Sequence, residues 1–242
     1  MEYSKYFKIK NYKDFILNKI KNGGKISYSQ SGEDLIIESA LKFLSIKKPS
    51  YIDIGANDPI VRNNTYLFYK NGSRGICIEP NPNIYTKLKK IRPHDICLNI
   101  GIGDKSIDNV PYYMLTSGAL NTFSKEEAEN HTAKENYGKQ KIESIINLPL
   151  KNINSIIDEY LSNSVDILSI DTEGFDLKII SSLNFKKCRP KVICVETARY
   201  EGNKIEKTIN LIEFLKEKNY LVFGDTFINS IFVDRSLKLN LG

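Results

Sequence analysis

The 242-residue sequence is poor in histidine and cysteine and has no long apolar run, and each scarcity removes a class of explanation. No stretch approaches the roughly 18 consecutive apolar residues of a membrane span, and the N-terminus lacks the apolar core of a signal peptide. A soluble, intracellular, cytoplasmic protein without a transmembrane segment is expected. The four cysteines, Cys77, Cys97, Cys188 and Cys194, form no CxxC or other metal-ligand spacing. Three of them lie inside apolar runs, where a free cysteine is an ordinary small core residue, so no disulfide framework is expected. With two histidines in the chain, any imidazole base must be His94 or His131. His94 follows Pro93 on a loop and reads as a surface residue.

Positive charge is also scarce over most of the chain. The formal net charge is +6, but residues 1–26 carry seven lysines against Glu2 and Asp14, a net +5, which leaves +1 for everything after. A nucleic-acid partner needs a basic face with interleaved aromatics, and the nearly neutral body argues against it. The basic start places Tyr12, Phe15, Ile16 and Ile20 at helical spacing and ends at Gly23-Gly24, the pattern of an amphipathic helix with a lysine-rich face.

What is present is alternation. Short β-branched runs at 51–55, 75–79, 96–101, 165–171 and 191–196 are separated by helical patterns at 62–71, 82–91, 152–162, 174–183 and 204–218. Strand and helix alternating in this way predict right-handed crossovers and a doubly wound, mostly parallel α/β sheet covered on both faces. The last two runs, 220–225 and 228–234, are too close for a crossover and must form an antiparallel hairpin that finishes a sheet of seven strands. Two regions stand outside the alternation. Residues 27–48 open with "SYSQSGEDLII", where Ser31 is placed to cap a second N-terminal helix and Asp34 supplies the acid three residues on. Residues 117–147 are polar and read as an insert over the substrate. The expected organisation is a pair of helices at 1–48 covering the site and one Rossmann-like domain at 49–242.

In such sheets ligands sit beyond the carboxyl ends of the strands. The first strand ends in Asp53-Ile54-Gly55-Ala56-Asn57-Asp58, where Gly55 lets backbone approach a ligand and Asp53 can accept from a cation or hydroxyl. The second ends at Glu79, followed by Pro80-Asn81-Pro82, and an acid there can take both hydroxyls of a ribose. The third ends in Gly101-Ile102-Gly103-Asp104, small residues and an acid that can border an adenine. A dinucleotide site wants GxGxxG, which the first turn lacks, and Asp58 would face the pyrophosphate. S-adenosylmethionine carries a sulfonium and an ammonium group and no phosphate, so it suits these acids better. An NAD-dependent oxidoreductase is the alternative that the same sheet leaves open.

The segments "YSQSGEDLII" (28–37), "YIDIGANDP" (51–59), "CIEPNP" (77–82), "LNIGIGD" (98–104), "SIDTEGFDLKII" (169–180) and "VICVET" (192–197) together resemble the FkbM-type methyltransferases. These are class I S-adenosylmethionine-dependent enzymes that act mostly on hydroxyl groups. The resemblance implies that Asp53, Gly55, Asn57, Glu79, Asn81 and Asp104 border the cofactor and that Gln30 and Glu33 close over it. It implies a sugar acceptor, nucleotide-linked or a surface-polysaccharide precursor, with a non-sugar metabolite as the alternative; a homo-oligomer is compatible with the sequence. Where the family commonly has a glycine in the first loop, this chain has Asp58.

Methyl transfer to a hydroxyl needs an in-line approach and a way to remove the proton. Asp171 and Glu196 end neighbouring strands and should share one mouth, with Glu173 in reserve. Two facing carboxylates call for a proton, a cation or a divalent metal. The open alternatives are Mg2+ or Mn2+ held by Asp171 and Glu196, a carboxylate base without metal, and a structural pair. Asn121 and His131 in the insert, with Arg199 and Tyr200 beyond the fifth strand, are the candidates for touching the acceptor.

Overall fold

A computed structural model describes residues 24–133, 139–162, 164–172, 174–201 and 204–238, with side chains omitted at 199–201 and 204–206. The expected basic helix with Tyr12, Phe15, Ile16 and Ile20 lies outside the described residues, as does Glu173; Arg199 and Tyr200 are described in backbone only.

The first half of the chain runs α1 (Glu33–Phe43), β1 (Tyr51–Ile54), α2 (Tyr66–Lys70), β2 (Gly75–Ile78), α3 (Pro82–Ile91), β3 (Ile96–Leu98), β4 (Gly101–Gly103) and β5 (Ile107–Leu115). A 3-10 turn (Gly118–Leu120), α4 (Lys125–Ala133), β6 (Ile142–Asn152), α5 (Ile153–Tyr160), β7 (Ile167–Ile170), α6 (Asp176–Ser182) and β8 (Val192–Glu196) follow. The chain then forms β9 (Ala198–Glu201), β10 (Lys204–Lys207), α7 (Ile209–Glu217), β11 (Tyr220–Asp225) and β12 (Asn229–Asp234).

The main sheet has seven strands in the order β11-β12-β8-β7-β1-β2-β3. All residues of β1, β2 and β7 are buried, as a sheet covered on both faces requires. Alternation along these strands sorts the core into two layers. Ile52, Ile54, Ile76, Ile78, Leu168 and Ile170 face one side, and Tyr51, Cys77, Ile167, Val192 and Cys194 face the other, where α1 packs through Ile37, Ala40 and Leu41.

The expected doubly wound architecture is present, with differences that have local causes. The hairpin finishes the seven-stranded sheet as expected, and within it β12 pairs antiparallel with both β8 and β11, which leaves β11 at the edge. The run 96–101 splits, because β3 stays in the main sheet while β4 leaves it to pair with β6. The polar insert 117–147 holds the 3-10 turn, α4 and the first part of β6, and β6 pairs antiparallel with β5, the strand before the insert, completing a second sheet ordered β4-β6-β5. Residues 204–207, expected as helix, are the strand β10 paired with β9. Ser31 does not cap α1; Gly32, in the left-handed conformation at φ 94°, precedes the helix. Asp34 instead accepts from the Ser27 and Ser29 hydroxyls and the Tyr28 amide, holding the approaching chain against the helix start. Among the described residues no helix is long and apolar enough to cross a membrane.

Candidate functional site

A cavity of about 290 Å3 lies beyond the carboxyl ends of the central strands and is lined from five directions: the loop after β1, the ends of β2 and β4, the ends of β7 and β8, the insert, and the segment before α1. The loop after β1 is held by its own side chains. Asp58 Oδ1 accepts from the amides of Ile60 and Val61, an Asx turn that occupies this acid, so it does not line the cavity as the sequence suggested. Asn63 donates to the carbonyls of Ala56 and Asp58 and accepts from the amides of Thr65 and Tyr66. These bonds keep 55–65 out of the helix expected from residue 62, and α2 begins only at Tyr66.

Gly55 has φ 78°, and a Cβ there would stand 1.8 Å from the Asp171 carbonyl oxygen. The neighbour that demands a glycine is therefore the end of β7 rather than a ligand. Asp53, buried at the end of β1, accepts from the Thr65 hydroxyl at 2.7 Å. Burial pushes its carboxyl up, while Arg92 and the hydroxyls of Thr65 and Ser169 pull it back. Arg92 is itself fully buried, pairs with Asp95 at 2.7 Å and donates to Asn63, Tyr51 and Thr65. A paired and fully hydrogen-bonded guanidinium is the form in which a buried cation persists.

Glu79 bridges two strand ends. Its Oε2 accepts from the Asn57 amide and its Oε1 from the Asn81 amide, both at 2.8 Å. Burial raises its carboxyl to about 7 against the pull of those two amides. Each carboxylate oxygen keeps a second lone pair, so Glu79 can accept two further donors from the cavity it lines. Asn81 is the N-cap of α3, accepting from the amides of Asn83 and Ile84, and does not line the cavity. Asp104 is exposed beyond β4, its carbonyl taken by Asn152, and lies off the cavity. At that strand end the cavity is lined by Ile100, Gly101 and Ile102 instead.

Asp171 and Glu196 end adjacent strands, in register through Ile170 and Val195, and both line the cavity. Asp171 is open to solvent in the cavity yet enclosed by protein, and that enclosure, with the nearby charges of Asp176, Asp53, Glu33 and Glu79, pushes its carboxyl up to about 7. Among the described residues no group of three histidine, cysteine, aspartate or glutamate side chains could hold a metal ion. Asp171 and Glu196 stand as two carboxylates without a third such ligand among the described residues.

The insert closes one wall. The stretch 118–123 folds back on β5 through paired bonds between Tyr113 and Thr122 and through Asn121 Oδ1, which accepts from the Leu115 amide. Asn121 lines the cavity, and its buried Nδ2 has no hydrogen-bond partner among the described residues. Phe123 packs against Tyr112, with ring centroids 4.6 Å apart, and edge-on to Phe175 at 6.5 Å, an aromatic wall the sequence did not reveal. A side chain at Gly101 would collide with Phe123, which accounts for that glycine. His131 is buried on α4 and does not line the cavity.

Gln30 lines the cavity as expected, but Glu33 does not. Glu33 accepts from the Ser31 amide, the Thr226 hydroxyl and the Asn229 amide group, tying α1 to the turn between β11 and β12. Burial opposes its ionisation, and these three donors outweigh burial and hold it below the usual glutamate range. Arg62 and Asn64 also border the cavity; the dipeptide Asn63-Asn64, an unusual interruption of a helical pattern, was the one sequence signal for this loop.

A parallel sheet whose strand ends close around a carboxylate-rich cavity defines a Rossmann-like enzyme fold that takes its ligand at the carboxyl edge. The chain belongs to the methyltransferase FkbM domain family, whose model matches residues 53–222, and it is a methyltransferase. No curated protein matches it significantly. Solved structures that resemble it include a methyltransferase from Geobacter sulfurreducens (TM-score 0.45, 9% identity, 92% of this chain and 88% of that one). Two others are a TehB-like SAM-dependent methyltransferase from Corynebacterium glutamicum (0.42, 8%, 93% and 97%) and an O-methyltransferase from Bacillus cereus in complex with SAH (0.42, 10%, 91% and 87%). At these values the likenesses carry no argument about substrate.

Proposed function

We propose that the protein is a cytoplasmic S-adenosylmethionine-dependent O-methyltransferase whose acceptor is a hydroxyl of a sugar, nucleotide-linked or a polysaccharide precursor. The observation that carries this reading is Asp171, a carboxyl raised to about 7 and open to the cavity beside Glu196. A base with that affinity for protons is suited to remove one from a hydroxyl near neutral pH.

The residues present fit the cofactor. The cavity is lined by four carboxylates, Asp53, Glu79, Asp171 and Glu196, against Arg62 as the one cation among the described residues. That balance suits a sulfonium and an ammonium group and opposes a pyrophosphate, which disfavours NAD. When bound, S-adenosylmethionine supplies an electrophilic methyl group. Glu79 would hold the hydroxyls of its ribose with the lone pairs the Asn57 and Asn81 amides leave over, and the unpartnered Nδ2 of Asn121 would donate to an oxygen of the acceptor. Asp171 orients the acceptor hydroxyl and takes its proton. Tyr112, Phe123 and Phe175 exclude water and offer apolar faces to a ring.

A screen of nucleotide-linked sugars for S-adenosylhomocysteine release, with mass location of the methyl group, tests the proposal. An O-methylated sugar is the expected product. Methylation of nitrogen, or of non-sugar hydroxyls alone, would replace the acceptor assigned here.

A further inference from the structure

Arg62 stands apart from every other charged residue at the cavity. It is exposed at the rim and, among the described residues, has no hydrogen-bond or ion-pair partner. Its backbone is left-handed at φ 56°, a conformation a non-glycine residue adopts only when its surroundings impose it. Here the imposition is visible. The Asp58 turn fixes the amides of Ile60 and Val61 on one side, and on the other Asn63 donates its amide to the Tyr28 carbonyl and its side chain to Ala56 and Asp58. The backbone that carries this long cation is thus fixed at a defined place.

That place is the acceptor's side of the cavity. Asn64, two residues on, donates to Ser169 on β7 and reaches Cys194 on β8, so this segment crosses toward the strands that carry Asp171 and Glu196. Gln30 and Ile228 complete the same rim, since the Glu33 ties bring the chain before α1 to the β11–β12 turn. Glu79, assigned to the ribose, lies on the other side of β1.

We propose that Arg62 is a specificity-determining residue that binds an anionic group of the acceptor, a carboxylate or a phosphate, while the acceptor's hydroxyl meets Asp171. The inference rests on the methyltransferase reading and narrows its substrate to acidic sugars. A guanidinium at a rim with no internal partner is matched by a bidentate anion. The anion has two sources, the diphosphate of a nucleotide-linked hexose or the carboxylate of a hexuronate.

The test is calorimetry on the full chain loaded with S-adenosylhomocysteine, titrated with a nucleotide-diphosphate hexose, a hexuronate and a neutral methyl hexoside. At least one anionic probe should bind about ten-fold or more tighter than the neutral one, and the stronger of the two identifies the source. Arg62→Gln should erase that preference, Arg62→Lys should keep part of it, and both should bind S-adenosylhomocysteine as the parent does. Equal binding of all three probes, or a preference that survives Arg62→Gln, overturns the proposal. An equal loss of S-adenosylhomocysteine affinity in Arg62→Gln also overturns it and gives the guanidinium to the cofactor's own carboxylate. Failure of the parent to bind S-adenosylhomocysteine counts instead against the S-adenosylmethionine-dependent sugar O-methylation proposed above. The anion preference is then measured on the unloaded chain, where its loss in Arg62→Gln supports the anion site and its absence or survival overturns it.

Discussion

Asp171 sits under two opposing demands, access to the cavity for a substrate and enclosure by protein beside Asp176, Asp53, Glu33 and Glu79. The second keeps it protonated up to about pH 7, and the first lets it exchange that proton. Activity is expected to rise with pH and level off once Asp171 is ionised, and Asp171→Asn should lower turnover by about 10^2–10^4 with the cofactor still bound. A pH–rate profile of both proteins checks this, with a chelator arm in which turnover is expected to persist. Full activity in Asp171→Asn would remove it from the chemistry. Glu79 carries a separable expectation: Glu79→Ala should weaken S-adenosylmethionine binding by roughly 1–3 kcal/mol, read by calorimetry.

Between elements, the most informative contact is Glu33, which joins the first turn of α1 to the turn between β11 and β12 across nearly the whole chain. If the carboxylate is removed, the Ser31 amide and the Asn229 amide group lose their acceptor, while the Thr226 hydroxyl keeps the Asn229 carbonyl. Glu33→Ala should therefore cost about 1–3 kcal/mol of stability, measured by urea unfolding. Unchanged stability would show the tie to be dispensable. The Gly55 contact joins two strand ends in the same way, since a methyl group there would overlap the Asp171 carbonyl. Gly55→Ala is expected to cost more than the roughly 1–2 kcal/mol of a left-handed residue alone, because β1 and β7 must also separate.

For the molecule as a whole, the raised carboxyls at the cavity couple folding and binding to pH. Glu79 and Asp171 are held near 7 when folded and ionise near their ordinary values when unfolded. Between those limits the folded chain keeps protons that the unfolded chain has lost. Their contribution to stability is thus present in full below the unfolded values and is lost as pH rises through about 7. The melting temperature of the unliganded protein should fall on going from about pH 5 to 8, and Glu79→Gln with Asp171→Asn should flatten that fall. A cationic ligand favours the ionised carboxylates, so S-adenosylmethionine binding near neutral pH should release protons. Calorimetry in buffers of different ionisation enthalpy measures that release, and a buffer-independent heat would contradict it.

The sequence by itself determined the frame and the strand-end acids. Period-two apolar runs, glycine and proline stops and spacings suited to crossovers fix which segments are strands, and in a doubly wound sheet that puts Asp53, Glu79, Asp171 and Glu196 at one edge. These are local or topological facts, and local pattern carries them. Tertiary structure alone decided what each acid touches. Glu33 and Asp58 look like Asp53 in sequence, yet one is used up by donors nearly two hundred positions away and the other by its own turn. The hairpin of β5 and β6, the departure of β4 from the main sheet and the aromatic wall of Tyr112, Phe123 and Phe175 depend on long-range pairing that no local periodicity encodes. Arg62 was invisible for the same reason: an arginine on a surface loop is ordinary until the fold sets it, unpaired among the described residues, at the rim of the cavity.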